Sequence, residues 1–129
     1  MTKTATLALE TTAEPQAVWR IVSEPKRLPE WASAFTDTAE RQADGRWRLS
    51  KHGQAFVVRV VTHAPSRAID FLRPLPSGGE GGAYVRVVDR PGGGSVVIMT
   101  APDPAGGAAR ILEEELSALI RLAEATSLA

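Results

Sequence analysis

The sequence contains no cysteine, which excludes disulfides, thiolate metal sites, iron–sulfur clusters and cysteine nucleophiles. A disulfide-stapled secreted scaffold is therefore out, and the expected compartment is the cytoplasm. Histidine is scarce, with only His52 and His63, and aromatics are few: three Trp, one Tyr and three Phe in 129 residues. Charge of one sign is missing too, because 15 basic and 15 acidic residues cancel to a formal net charge of zero. Without excess positive charge to attract a polyphosphate, nucleic acid is not an expected partner. No long apolar run occurs, and the opening stretch MTKTATLALETT reads as neither a signal peptide nor a membrane span. What is present is one domain's length, residues 1–129, with 43% hydrophobic and 23% charged residues. Those proportions suit a globular chain large enough to bury a core.

Local patterning places the elements. Thr4 to Thr11 alternates as a strand, with Ala5, Leu7 and Leu9 on one side. Pro15 opens a short helix to about Val22 with Val18, Trp19 and Val22 as its apolar stripe, and a brief second helix spans about Lys26 to Trp31. Period-two segments follow at Ala34–Arg41, Arg46–Ser50, Gln54–Thr62, Arg67–Arg73, Tyr84–Asp89 and Ser95–Ala101. Short turns join them, which implies an antiparallel meander. Glycines cluster at Gly78, Gly79, Gly81 and Gly82 and at Gly92, Gly93 and Gly94. Both clusters are expected as loops between strands, and neither opens a helix as a phosphate loop would. Asp103 and Pro104 look like the N-cap and first residue of a final helix, firm from Ala108 to about Ala125.

Parity divides the sheet into a dry and a wet face. Leu7, Leu9, Trp47, Leu49, Phe56, Val58, Val60, Ile69, Phe71, Val85 and Val87 share one side. Glu10, Arg46, Arg48, Ser50, Arg59, Asp70, Tyr84 and Arg86 share the other. The dry face has to be buried, and the long element available to cover it is the C-terminal helix. At ~100° per residue, Ile111, Leu122, Ala108, Leu119, Leu112, Ala123, Leu116 and Ile120 form one apolar arc of that helix. Glu115 falls inside that arc. Either it is a carboxyl group in an apolar interior, its pKa raised into a range useful for acid–base work, or it sits at the rim paired with an arginine.

Pro15-Gln16-Ala17-Val18-Trp19, Ser23-Glu24-Pro25 and Leu28-Pro29-Glu30-Trp31, following a strand, resemble the opening of the START-like (SRPBCC) superfamily. That group includes polyketide cyclase/dehydrase-like proteins, Bet v 1-like proteins and lipid-transfer START domains. The resemblance covers essentially the whole chain and implies an α+β helix-grip fold. In it a curved seven-stranded antiparallel sheet wraps the long C-terminal helix, in the order β-α-α-β-β-β-β-β-β-α, and leaves a hydrophobic cavity between them. The implied function is binding of a small hydrophobic molecule, with no cofactor. The alternatives are a cyclase/dehydrase-like enzyme using Glu115 as general acid/base, and a protein-interaction module whose cavity is filled. The chain could be a monomer or a homodimer.

In that frame Trp31 and Phe35 lie near the cavity mouth and either touch the ligand or cap the core. Trp47, Phe56, Val58, Phe71, Val85 and Val87 either line the cavity wall or fill the core, and Leu112 and Leu119 are the expected contacts on the helix. Trp19 is expected in the core. A metal site is not expected, since His52 and His63 are separated by eleven residues of extended chain, roughly 35 Å. No serine stands in a Gly-x-Ser-x-Gly context. The Arg46, Arg48, Arg59 and Arg86 stripe is balanced by Asp70 and Glu10 and reads as a solvated face.

Overall fold

The computed structural model describes residues 3–127. Strand β1 (Thr4–Thr11) leads into helix α1 (Pro15–Val22), a 3-10 turn (Pro25–Arg27) and helix α2 (Leu28–Trp31). Strands β2 (Thr38–Arg41), β3 (Trp47–Lys51), β4 (Gln54–His63), β5 (Ala68–Pro74), β6 (Glu80–Asp89) and β7 (Ser95–Pro102) follow, and helix α3 (Ala108–Ser127) ends the described chain. All pairings are antiparallel in the order β1-β7-β6-β5-β4-β3-β2. The α+β helix-grip architecture with a seven-stranded sheet and a long final helix is therefore borne out. No helix among the described residues is long and apolar enough to cross a membrane.

Alternation decides which face packs. Leu49, Val58, Ile69, Phe71, Val85, Val87, Val97 and Met99 are buried in one cluster with Leu112, Leu116, Leu119, Ile120 and Ala123 of α3. Helix α1 adds Val18, Trp19, Ile21 and Val22 to the same cluster. The opposite sheet face is ion-paired, Arg86 with Asp70 at 2.8 Å, Arg59 with Glu80 at 2.6 Å and Arg90 with Glu10 at 3.6 Å, while Arg67 and Asp89 pair at 3.4 Å at the strand ends. Such exposed pairs contribute little stability, but they keep this face wet. The β3–β4 hairpin turns on two residues, His52 at φ 51° and Gly53 at φ 76°, as a primed turn requires.

Several boundaries differ from the sequence reading. Strand β2 starts at Thr38 rather than Ala34, because the amides of Phe35 and Thr36 both turn back to the carbonyl of Ala32. The buried Thr36 hydroxyl then bonds to the carbonyls of Thr38 and Ser50. Gly81 and Gly82 lie within β6, opposite Arg73 and Leu72 of β5, not in a loop. A Cβ on Gly82 would collide with the carbonyl oxygen of Phe71, so only glycine lets the two strands approach this closely. Asp103 does cap α3, its side chain accepting from the Ala108 amide at 3.1 Å. It does so across a loop with Gly106 and Gly107 at φ 83° and 92°, so Pro104 precedes the helix instead of opening it. Finally, Ile111 is 47% exposed, because the buried stripe of α3 is centred on Leu112, Leu116 and Leu119.

Candidate binding cavity

Side-chain size along the inner sheet face determines where the interior is full and where it is empty. Toward one end the inward positions are Ile69, Val85, Val87 and Val97, all buried. Toward the other, the same parity delivers Gly81 and Ala83 on β6 and Ala101 on β7. Across from them stand Ala32, Ala34 and, at the start of α3, Ala108. Small side chains on both walls cannot meet across the gap, and a cavity of about 540 Å3 remains. That lies within the usual range for small-molecule sites. Its mouth carries Leu75 and Ile111, 42% and 47% exposed.

The aromatic wall is built in two layers. Trp31 of α2, 2% exposed, tilts against Phe71 of β5 with ring centroids 6.4 Å apart. Phe35 meets Phe56 edge-on at 5.3 Å, a favourable arrangement for aromatic quadrupoles. Of the residues expected from sequence, Trp31, Phe35, Phe71, Leu112 and Glu115 line the cavity. Phe56 stands behind Phe35 in the second layer. Val58, Val85, Val87 and Leu119 are completely packed in the core, and Trp47 packs against that core outside the cavity. Trp19 belongs to the core as expected.

Glu115 is the unusual group. It is 4% exposed, lines the cavity, and its Oε2 has no hydrogen-bond partner. Burial, reinforced by the neighbouring Glu114 carboxylate, pushes its pKa up to about 7, while the Phe35 backbone amide pulls the other way. Desolvation disfavours the ionised form when no cation compensates it. The indole Nε1 of Trp31 is likewise buried and unpartnered. Buried polar atoms normally find partners, so these two unsatisfied atoms beside the apolar cavity are exceptions, and neither exposes surface to it. The helical period located Glu115, but strand parity overlooked the small residues Gly81, Ala83 and Ala101, and also Arg73, which lies two residues beyond Phe71 on the same face. Extending the alternation of β5 by one step would have found it.

No group of three or more His, Asp or Glu side chains among the described residues could hold a metal ion. His52 and His63 are exposed, and His63 Nδ1 lies 2.6 Å from the Ser66 hydroxyl.

Solved structures share this fold at low identity. The di-domain aromatase/cyclase BexL from the BE-7585A biosynthetic pathway is 20% identical with a TM-score of 0.70, over 95% of this chain and 46% of that one. The Zhui aromatase/cyclase from Streptomyces sp. R1128 is 14% identical with a TM-score of 0.67, over 96% and 94%. Truncated norcoclaurine synthase from Thalictrum flavum is 16% identical with a TM-score of 0.67, over 95% and 93%. No curated protein sequence matches the chain. The sequence pattern described as "Polyketide cyclase / dehydrase and lipid transport" is matched over residues 3–125, nearly the full chain, and the protein belongs to that family.

Proposed function

We propose that the protein binds a small hydrophobic molecule in the cavity between the sheet and α3. The observation that carries this reading is the open, largely apolar space of about 540 Å3. Trp31 and Glu115, both lining this space, are the polar-bearing residues in its wall whose side chains would need only small rotations to offer the few directional contacts that binding sites add to apolar walls. The filled-cavity alternative, an interaction module, loses the observation that would have favoured it. Native mass spectrometry of freshly purified protein, compared with its denatured mass, tests the reading. A reproducible non-covalent adduct is expected, and its mass identifies the ligand class. A clean apo mass that also persists after incubation with apolar compounds would overturn it.

One observation favours a catalytic extension. A cavity-lining carboxyl with a pKa of about 7 is matched to proton transfer near neutral pH. In that reading Glu115 moves a proton on a bound carbonyl compound, as a cyclase/dehydrase-like enzyme would. Glu115→Gln then stops turnover and leaves ligand binding and fold intact. Full turnover in that variant sinks the catalytic reading while sparing the binding one.

A further inference from the structure

Two of the cavity-lining side chains can carry charge, Arg73 and Glu115, and they are kept apart: Glu115 Oε2 has no partner. Arg73 sits on the last turn of the inner-face alternation of β5, exposed at the mouth, opposite the side-chain-free Gly81. Its guanidinium lies 4.4 Å from the centroid of Phe56. This cation–π contact tethers the guanidinium over the ring face without using up its N–H donors. No carboxylate among the described residues takes them up. Glu80, the acid at the start of the neighbouring strand, is instead held by Arg59 through contacts of 2.6, 3.0 and 3.1 Å. The cavity thus has an apolar body, a nearly buried carboxyl group in its wall and, at its entrance, a ring-tethered cation with no carboxylate partner among the described residues.

Building on the cavity-binding reading, we infer that the site selects amphipathic monocarboxylates, with the apolar body inside and the carboxylate held by Arg73 at the mouth. A planar guanidinium matches a carboxylate with two parallel hydrogen bonds. Glu115 does not oppose such an anion, because its own charge is suppressed by burial. A neutral molecule of the same length fills the same space but leaves Arg73 unpaired.

Isothermal titration with decanoate and decanol at pH 6 separates this inference from the reading beneath it. Decanoate is expected to bind about tenfold more tightly than decanol, the factor a charge-assisted hydrogen bond supplies. In both Arg73→Met and Arg73→Gln the ratio of the two affinities should fall toward one. Circular dichroism melts confirm that these exposed substitutions fold. Equal affinities in the unsubstituted protein overturn the carboxylate inference and leave the cavity reading standing. A preference that survives both substitutions overturns Arg73 as its source. Failure of both probes to bind at millimolar concentration overturns the inference together with the cavity reading.

Discussion

The protein should lose about 3 kcal/mol of stability as the pH rises from below 4.5 to above 7, and Glu115→Gln should remove most of that loss. The cause is the burial that raises the Glu115 pKa from 4.5 to about 7. Below 4.5 the carboxyl is protonated in both folded and unfolded chains and costs nothing. Between 4.5 and about 7 the unfolded chain releases the proton first, so the folded state binds more protons and stability falls with pH. Above 7 the loss is complete, at about 1.4 kcal/mol for each pH unit separating the two pKa values. The acids that ion pairs perturb do not mask this window. The carboxyls of Glu30, Asp37 and Glu80 are held below their ordinary values by Arg27, Lys51 and Arg59, so they act in the opposite sense and at lower pH. Urea unfolding at pH 5 and pH 8 measures the effect, which corresponds to roughly 10 °C in Tm for a domain of this size. A flat profile, or one that Glu115→Gln leaves unchanged, would show that Glu115 is not held in an apolar environment.

Filling the cavity from its wall should abolish binding without harming the fold. Ala83 lies on the inner face of β6 between Gly81 and the buried Val85, and it lines the cavity. Ala83→Phe projects a ring into space that is already empty, so it displaces no packed side chain. Burial of that ring contributes on the order of 1–3 kcal/mol of apolar transfer free energy, and the melting temperature should stay the same or rise. Affinity for decanoate and decanol alike should drop by roughly 100-fold, since the ring removes contact area that several methylene groups would occupy, at about 0.8 kcal/mol each. Unchanged affinity with preserved stability would place the ligand elsewhere on the molecule. The contrast with Arg73→Met is informative: one substitution weakens both probes, the other changes only their ratio.

Much of the architecture was legible in local patterning because its causes are local. Alternation in β4 and β5 identifies an inner face whatever the neighbouring strands are, and the 3.6-residue period of α3 turns Glu115 inward whatever covers it. Pro15 and Pro25 place helix starts through their own fixed backbone angle. The boundaries that moved were those set by long-range contacts. Residues 34–37 leave the extended pattern in a turn closed on the Ala32 carbonyl, which the buried Thr36 hydroxyl anchors by reaching across to Ser50. Gly81 and Gly82 join a strand because β5 presses close enough to forbid a side chain at Gly82.

The site divides along the same line. By itself the sequence located the strands, their dry face and the amphipathic final helix, and placed Glu115 on that helix's apolar arc, since each follows from periodicity and steric preference within one segment; the gripping arrangement came from the family resemblance. Tertiary structure decided where the interior is solid and where it is hollow. That depends on Gly81, Ala83 and Ala101 lining the same gap as Ala32, Ala34 and Ala108, a coincidence of small residues far apart in the chain. It also decided that Arg73 lies over the Phe56 ring while Glu80 is taken by Arg59. The pairing of charges is settled by which side chains the fold brings within reach, and no one-dimensional pattern encodes that distance.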